Sequence, residues 1–397
     1  MEFIQEYLQT PVRESYDVIV VGGGIAGISA ALAAARSGAS VLLTERGFML
    51  GGLATAGLVT IYLPLCDGRG QQVSFGIAEE LLRLSASMGV EADFPDAWLG
   101  DYPEKRAEQR FMLRYNAQLF AMLAEEMLMQ NGVSIRYGLT LTGVDRRGDR
   151  VHAAIFEEKG GRFAATAHSF VDASGDADVF HLANAPVRTF QQGNVLAAWY
   201  YSAGRDGVAL NPLGFCDVPD AQRGELESPK LLLNRRFQGL AGAELSEMVC
   251  ASHAQVLQDV RRRRKQDPDC VPVTLPTIPQ VRMTRCIMGE YILRDDENDA
   301  PFADSIGKIA DWRRRGYVYA IPYRALYNAQ LKNVIAAGRC ISTTDAMWDI
   351  TRVIPVCAVT GEAAGTAAAL SDDFAALEST RLQAELQRKC RRPDIAT

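Results

Sequence analysis

The feature that most limits the fold is a strand, a glycine-rich turn and a helix that follow one another near the start of the chain. Asp17-Val-Ile-Val-Val21 is a short β-branched run of the kind that forms a buried parallel strand. Gly22-Gly-Gly24-Ile-Ala-Gly27 comes next, and an alanine-rich helix is predicted from there to about Ser37. Ser40-Val-Leu-Leu-Thr-Glu45 predicts a second strand. Because a strand, a helix and a strand within about 30 residues form the smallest parallel crossover, the sequence predicts an α/β fold.

Each glycine of this turn has a physical role in the G-x-G-x-x-G pattern. Gly22 makes the tight turn, Gly24 lets the backbone approach a pyrophosphate, and Gly27 allows the helix to pack on the strand. The helix N-terminus offers free N–H groups to phosphates, and Glu45 can accept hydrogen bonds from an adenosine ribose. We therefore predict a bound dinucleotide. The alternative is a glycine-rich turn that packs tightly and binds nothing.

A second glycine-rich turn, Gly51-Gly-Leu-Ala-Thr-Ala-Gly57, follows Glu45 closely and bears on which dinucleotide is bound. A pyridine-nucleotide domain has no need of backbone close to the cofactor at this point. A flavin that lies extended across the domain needs backbone close to it there. The sequence therefore favours FAD, and NAD stays the alternative.

Composition excludes several classes of protein. The chain has 397 residues, which suggests two or three folded units at roughly 100–200 residues each. Its net charge of −6 argues against nucleic acid as a partner. No stretch approaches the ~20 apolar residues of a membrane helix, and the start resembles no signal peptide. The eight cysteines contain no C-x-x-C pair and no His pair has ligand spacing, so we expect free thiols, a cytoplasmic location and no metal.

Hydrophobic patterns along the chain indicate one nucleotide-binding domain that is interrupted by a second domain. We place the first part at residues 1–188, an inserted substrate domain at 189–320, and the returning segment at 321–397, with residues 76–130 mainly helical. A long helix is predicted over Lys105–Gln130, with one apolar face. That face contains Leu113, Ala117, Phe120, Ala124 and Met127. Further strands are predicted at 133–137, 139–144, 151–156, 163–171, 199–201 and 333–338, and further helices at 245–264 and 355–370.

Six blocks in this order make the chain resemble the FAD-dependent oxidoreductase family of the glutathione-reductase-like superfamily, the two-dinucleotide-binding type, whose members mostly lack assigned substrates. The blocks are Gly22–Gly27 with Glu45, Gly51–Gly57, Val171–Asp176, Ile321–Leu326, Ala337–Ser342, and Arg352–Pro355 leading into Thr360–Gly365. The resemblance implies a Rossmann-like FAD-binding domain, with a parallel sheet flanked by helices and a β-meander, and an inserted α+β substrate domain.

The resemblance also implies which residues bind FAD. The helix that begins near Pro355 would face the pyrimidine edge of the flavin, where a helix N-terminus stabilises negative charge. Gly361, Ala364 and Gly365 would let that helix pack on the cofactor domain, and plain packing without cofactor contact is the alternative. The expected cofactor residues are Gly22, Gly24, Ile25, Ala26, Gly27, Glu45, Arg46, Gly51, Gly52, Leu53, Ala54, Thr55, Leu141, Ala173, Ser174, Gly175, Gly338, Arg339, Val353 and Ile354.

One region departs from the family pattern. Many relatives have an Arg-Glu-x-Arg-Arg-like stretch before Gly-Glu-Tyr, whereas this chain reads Arg282-Met-Thr-Arg-Cys286 and then Gly289-Glu-Tyr291. Met283 and Cys286 are the differences. They indicate either a substrate different from that of relatives or two merely structural positions.

The catalytic candidates are polar residues that the sequence places near the flavin. Arg352 precedes the flavin-facing helix and could hold an anionic substrate or stabilise reduced flavin, and Asp349 could serve as a base. Tyr323 lies where the chain returns to the flavin domain, and Arg285 and Tyr291 come from the inserted domain. An Arg or Tyr at a domain junction is commonly just an ion-pair or interface residue.

The sequence therefore predicts an FAD-dependent dehydrogenase or reductase that transfers a hydride between flavin and a small organic substrate, at a CH–CH, CH–OH or CH–NH bond. The alternatives are an NAD-linked dehydrogenase and a flavin-binding scaffold or redox sensor without catalysis. A small molecule is the expected partner, with neither nucleic acid nor membrane, and homo-oligomers stay open.

Overall fold

The computed structural model describes residues 2–88, 113–214 and 231–389. The strands are β1 Val12–Val21, β2 Val41–Glu45, β3 Ile61–Tyr62, β4 Leu113–Arg114, β5 Ser134–Tyr137, β6 Thr140–Arg147, β7 Arg150–Glu158, β8 Gly161–Asp172, β9 Val187–Thr189, β10 Ala198–Gly204, β11 Gly207–Leu213, β12 Val271–Thr274, β13 Arg285–Ile287, β14 Ser305–Ala310, β15 Val318–Pro322 and β16 Val334–Ala336. The helices are α1 Ile25–Arg36, α2 Ile77–Ala86, α3 Ala117–Gln130, α4 Asp178–Leu182, α5 Gly242–Arg263, α6 Asp345–Thr351, α7 Ile354–Leu370 and α8 Ser379–Lys389.

The main sheet combines a parallel half with an antiparallel meander. Its strand order is β5-β2-β1-β8-β7-β6, and β16 also pairs with β8. β1, β2, β5, β8 and β16 run parallel, whereas β6, β7 and β8 form antiparallel pairs. The meander pairs with the first half of β8 and β16 with the second half. The predicted α/β class, with its parallel sheet and meander, is confirmed.

Helices α1 and α7 pack against each other at backbone distance. A Cβ atom on Gly361 would lie 2.3 Å from the Ala26 carbonyl oxygen, and one on Gly365 would lie 2.0 Å from that of Ala30. Only glycine fits at both positions, because real Cβ contacts are longer than 3.0 Å. The packing role predicted for this helix is confirmed, and the contact fixes the N-terminus of α7 relative to that of α1.

The structure shows a helix over Ala117–Gln130, where the sequence predicts one over Lys105–Gln130. It begins at Ala117, where the Asn116 side chain accepts a hydrogen bond from the Leu119 N–H, as in an N-cap. The prediction that Leu113 lies on the apolar face of this helix is wrong, since Leu113 pairs with Tyr62 where β4 runs antiparallel to β3. Residues 105–112 lie outside the described part. The other members of the predicted face, Ala117, Phe120, Ala124 and Met127, are buried.

The chain between β9 and β15 builds smaller sheets above the main one. β11, β10 and β12 form an antiparallel sheet on which α5 packs. β9 pairs with β13, and the β14–β15 hairpin contacts α7, with β14 also touching α8. The predicted helix at 245–264 is present, with small differences at its ends. The domain boundaries given above stay a prediction.

The described residues contain no single helix that is both long and apolar enough to cross a membrane. Taken together, α6 and α7 are long and apolar enough for a membrane span by length and composition alone, but they are bent by 89° to each other.

Candidate functional site

A cavity of about 940 Å³ opens at the carboxyl ends of β1 and β2. It extends past the glycine turns to the start of α7 and is covered by residues between β10 and β15. Crevices at the carboxyl ends of parallel strands are the usual ligand sites of α/β folds, and the volume lies in the upper part of the range for ligand pockets, ~300–1,000 Å³.

The first glycine turn is shaped by close backbone contacts. Gly22 has φ +103°, and a Cβ atom there would lie 2.4 Å from the Ala173 carbonyl oxygen. A Cβ atom on Gly27 would lie 1.8 Å from the Gly22 carbonyl oxygen. Gly24 differs from both, because a Cβ there would meet no protein atom within 4 Å. The space at Gly24 therefore belongs to the cavity, as a site for a diphosphate requires.

The second glycine turn lies directly on the first. The Gly51 N–H donates to the Gly23 carbonyl oxygen at 2.8 Å, and Gly51 has φ +102°. A Cβ atom on Gly52 would lie 3.3 Å from the Gly24 Cα. Together the two turns form one cradle of backbone at the middle of the cavity.

Acidic side chains lie at the β2 end of the cavity, and each of them has partners. Glu45 accepts hydrogen bonds from the Gly23 and Gly47 N–H groups at 2.9 and 2.7 Å. Asp176 pairs with Arg339 at 2.7 Å, and Asp178 pairs with Arg285 at 2.6 Å. These contacts hold the loops that close this end.

Asp172, at the end of β8, organises the loop that follows it. Its carboxylate accepts hydrogen bonds from the Ser174 side chain at 2.6 Å and from the Val179 N–H at 2.8 Å. Burial, aided by the nearby charge of Asp178, raises the pKa of the Asp172 carboxyl to about 6. These bonds hold the Ser174 turn against the cavity.

The opposite end of the cavity carries an arginine that belongs to a buried ion pair. Arg352 lines it just before α7, and its Nε donates to Asp349 at 3.1 Å. Asp349 is fully buried, and Arg313 Nη1 lies 3.6 Å from its second oxygen. Burial raises the pKa of the Asp349 carboxyl, and the guanidinium groups of Arg352 and Arg313 oppose that rise. The N-terminus of α7 at Val353 carries no side-chain cap, so its N–H groups stay available to a ligand.

Of the predicted catalytic residues, Arg352 alone lines this cavity. Asp349 lies behind Arg352 as its ion-pair partner. Tyr323 is placed differently from our expectation, since it is buried with its hydroxyl donating to the Phe374 carbonyl oxygen at 3.1 Å. Tyr291 binds Glu297 and Arg285 binds Asp178, and neither residue reaches the cavity lining.

Most of the expected cofactor residues do line the cavity. The exceptions are Gly27, whose role is backbone packing, and Thr55, whose buried hydroxyl donates to the Leu50 carbonyl oxygen. Cys357 also lines the cavity, and burial raises the pKa of its thiol to about 12, which disfavours a reactive thiolate. The lining residues among those expected are Gly22, Gly24, Ile25, Ala26, Glu45, Arg46, Gly51, Gly52, Leu53, Ala54, Leu141, Ala173, Ser174, Gly175, Gly338, Arg339, Val353 and Ile354.

The two departures from the family pattern lie in the core. Met283 and Cys286 are buried in one cluster with Phe190 and Trp348. Arg282, in contrast, lines the cavity. The sequence left two explanations open for Met283 and Cys286: a different substrate or a structural role. Neither side chain lines the cavity, which agrees with a structural role.

Sequence reasoning missed several residues that cover the cavity, in particular Arg114, Trp199 and Trp312. No local pattern marks them, because each comes from a different segment. Within the described part of the chain, no group of three or more His, Cys, Asp or Glu side chains could hold a metal ion.

Comparison with known proteins identifies the family. The model of the family described as FAD dependent oxidoreductase matches residues 17–206 and 194–386. The chain belongs to this family. It is therefore an oxidoreductase whose cofactor is FAD.

Curated relatives match over short regions. Thioredoxin reductase of Ureaplasma parvum is 35% identical over 80 residues, which are 20% of this chain and 26% of that protein. Vinyl phenol reductase of Lactiplantibacillus plantarum is 38% identical over 105 residues, which are 26% of this chain and 18% of that protein. The chain thus spans about a quarter or less of each of these relatives.

Among solved structures, p-nitrophenol 4-monooxygenase from Pseudomonas putida is similar over 94% of this chain and 84% of its own. The TM-score is 0.46 and the identity is 14%.

The residues present fit FAD. The cavity leaves open space at Gly24, where a diphosphate would meet the N-terminus of α1, and it continues to the uncapped N-terminus of α7. Glu45, Ser174, Arg352 and Val353 all line the cavity. The first two would hold the adenosine, and the other two would lie beside the flavin ring.

Proposed function

We propose that this enzyme transfers a hydride between FAD and a small organic substrate, at a CH–CH, CH–OH or CH–NH bond. The observation that carries this proposal is a single cavity that holds both the glycine cradle and a covered space beyond the start of α7. A cofactor and a substrate bound in one cavity can come into direct contact, as hydride transfer requires.

In this proposal the two ends of the cavity do different work. The backbone at Gly22–Gly27, Gly51–Gly52 and Gly338 holds the diphosphate, and Glu45 the ribose. The flavin supplies the redox chemistry when it is bound. Arg352 and the N-terminus of α7 place positive charge at the other end, where they stabilise an anion.

The substrate lies under the segment of residues 277–282, which belongs to the domain that we place at 189–320. The Thr277 N–H donates to the Ala56 carbonyl oxygen at 2.9 Å, and the Gln280 side chain donates to that of Gly57 at 2.6 Å. Arg339 Nη1 donates to the Val281 carbonyl oxygen at 2.7 Å. These bonds tie the cover to the cofactor domain and support a role for the inserted domain in substrate binding.

An anaerobic flavin assay tests the proposal. The oxidised holoenzyme is mixed with panels of alcohols, amines and saturated acids, and the photoreduced holoenzyme with ketones, imines and alkenes. We expect one class to change the flavin absorbance much faster than it does with free FAD. We also expect Arg352→Ala to keep its flavin and to lose about tenfold to 100-fold of that rate, because a charged contact is lost.

Two results would contradict the proposal. Rates no faster than those of free FAD with every panel would favour the flavin-binding scaffold or redox sensor. Binding of NADH by a protein without a flavin spectrum would favour the NAD-linked dehydrogenase.

We also propose a cytoplasmic location. The cysteines of the described chain, such as Cys66, Cys270 and Cys286, are free thiols, which a reducing compartment preserves. Recovery from the cytosolic fraction of cells would support this location, and recovery from an oxidising compartment would contradict it.

A further inference from the structure

Apart from the acidic end described above, one wall of the cavity carries charged side chains of one sign. Its charged side chains, within the described residues, are Arg114, Arg282 and Arg352. The acidic side chains of the lining are Glu45, Asp176 and Asp178, which are bonded to the backbone or to arginines at the other end. Arg352 is paired with Asp349 behind the lining, so the positive charge that this wall offers to a small molecule comes mainly from Arg114.

Arg114 is the most informative of the three arginines. It lies in β4, paired with Ile61 of β3, and lines the cavity while half-buried. Within residues 2–88, 113–214 and 231–389, the Arg114 guanidinium has no hydrogen bond or ion pair. A partly desolvated guanidinium is costly unless an anion neutralises it. Its position in the lining points to a ligand as the source of that anion.

The lining also includes two tryptophans whose indole rings are held in place. The Trp199 indole N–H donates to the Gly214 carbonyl oxygen at 3.1 Å, and the Trp312 indole N–H donates to that of Asp349 at 3.0 Å. The guanidinium of Arg282 lies over the Trp199 ring at 5.4 Å from its centroid. Fixed indole rings favour a flat conjugated ligand, because stacking needs a planar partner.

Arg282 is itself fixed by the backbone around it. The Arg282 and Met283 N–H groups both donate to Asn194 Oδ1 at 2.9 Å, and the Asn194 amide donates to the Met283 carbonyl oxygen at 2.7 Å. Arg282 is 4% exposed. The turn that carries it is therefore preorganised, which lowers the cost of ordering a binding site.

We infer that the substrate, within the function proposed above, is a planar aromatic carboxylate whose carboxylate is bound by Arg114. The ring lies between the flavin side of the cavity and the indoles of Trp199 and Trp312. Arg282 and Arg352 add positive charge around it. Arg114 thereby determines specificity for the acid over its neutral analogues.

Benzoate and benzamide are suitable probes, because they share a ring and nearly a shape but differ in charge. Each is titrated into the oxidised holoenzyme, and the change in the flavin absorbance spectrum gives the dissociation constant. We expect benzoate to bind at least about tenfold more tightly than benzamide, since a hydrogen bond to a charged group is stronger than one to a neutral group. Equal affinities, or no binding of either probe to flavin-loaded protein, would overturn the inference.

Arg114→Gln tests the residue itself. We expect benzoate to bind about 10- to 100-fold more weakly, with benzamide affinity and flavin content unchanged. The control is Arg147→Gln, whose side chain is 65% exposed on β6, and it should leave both affinities unchanged. If Arg114→Gln loses flavin while benzoate still binds to the remaining holoenzyme as before, Arg114 serves the cofactor and the inference is wrong.

Failure of this inference can be separated from failure of the proposed function. A holoenzyme that turns over a substrate but shows no preference for benzoate over benzamide contradicts only the aromatic carboxylate. A protein that binds benzoate through Arg114 but never changes its flavin redox state contradicts only the hydride transfer.

Discussion

The two ends of the cavity are built in opposite ways. At the cofactor end, close turns of backbone do most of the shaping, and the acids Glu45, Asp176 and Asp178 bind to loops. At the other end, where we propose that the substrate binds and which we call the substrate end, side chains do the shaping. The lining there includes arginines and tryptophans from distant segments. The first kind of site suits a ligand shared by many proteins, because backbone shape changes little with sequence. The second suits a ligand that differs between relatives, because each side chain can be replaced singly.

The variant with the largest expected effect fills the space at the cofactor end while the fold stays intact. Gly24→Val adds atoms where no protein atom lies within 4 Å, at a backbone φ of −69° that valine can adopt. We expect a folded protein that retains no flavin, because the added side chain occupies the space of the diphosphate. Flavin content and thermal unfolding measure the two effects.

Gly242→Val is the matched control. A Cβ at Gly242 likewise meets no atom within 4 Å, but the residue lies at the start of α5 and outside the cavity lining. Flavin content should stay at the wild-type level. Full flavin content in Gly24→Val would refute the placement of the diphosphate.

The substrate end rests on a buried ion pair in which Asp349 binds Arg352 and Arg313. Loss of the Asp349 carboxylate should therefore destabilise the protein. Asp349→Ala leaves Arg352 and Arg313 without their shared carboxylate in a region where all three side chains are less than a tenth exposed. Breaking a buried pair costs about 3–5 kcal/mol of the free energy of unfolding. Denaturant unfolding measures that loss.

Asp372→Ala serves as the comparison for Asp349→Ala. Asp372 pairs with Arg150 at the surface, where the two side chains are 58% and 37% exposed. The free energy of unfolding should fall by less than about 1 kcal/mol. Equal losses in the two variants would mean that the pair behind Arg352 is not electrostatically special.

At the cofactor end we expect a smaller, pH-dependent effect at Asp172. Its pKa of about 6 lies above the 3.8 of an unperturbed carboxyl, so the folded protein holds a proton that the unfolded chain has released. The resulting stabilisation is fully present below about pH 4 and is lost as the pH rises through 6. The loss amounts to about 3 kcal/mol at most, given 1.36 kcal/mol for each pKa unit.

Asp172→Asn isolates this contribution. The free energy of unfolding of the wild type, measured relative to Asp172→Asn, should fall between pH 4 and pH 7. A difference between the two proteins that is constant over this range would show that the carboxyl titrates normally.

The sequence predicts the two ends of the cavity to different extents, because one is built from local patterns and the other from distant side chains. Gly22–Gly27, with a strand before it and a helix after it, is a local pattern with one geometric outcome. The structure places Gly51 directly beside it, with the Gly51 N–H donating to the Gly23 carbonyl oxygen. The start of α3 was misjudged because Leu113 fits the helical period, whereas the Asn116 cap decides where the helix begins.

Side chains at the substrate end could not be predicted in the same way. The prediction for Tyr323 rests on the return of the chain to the cofactor domain at this point. Sequence position does not reveal which way a side chain points, and that of Tyr323 is buried in the core. Arg114, Trp199 and Trp312 meet only through the tertiary fold. A single sequence contains no periodicity that joins residues so far apart.

The central claim is that FAD lies extended along the whole cavity, with its adenosine between Glu45 and Ser174 and its ring near Val353. Titration of the apoprotein with FAD and with FMN, followed by flavin fluorescence, tests it most directly, because FMN has the ring but lacks the adenosine half. We predict one FAD per chain and an affinity for FMN at least about 100-fold weaker, which corresponds to ~2.7 kcal/mol. Equal affinities for FMN and FAD, or no binding of FAD, would contradict the claim.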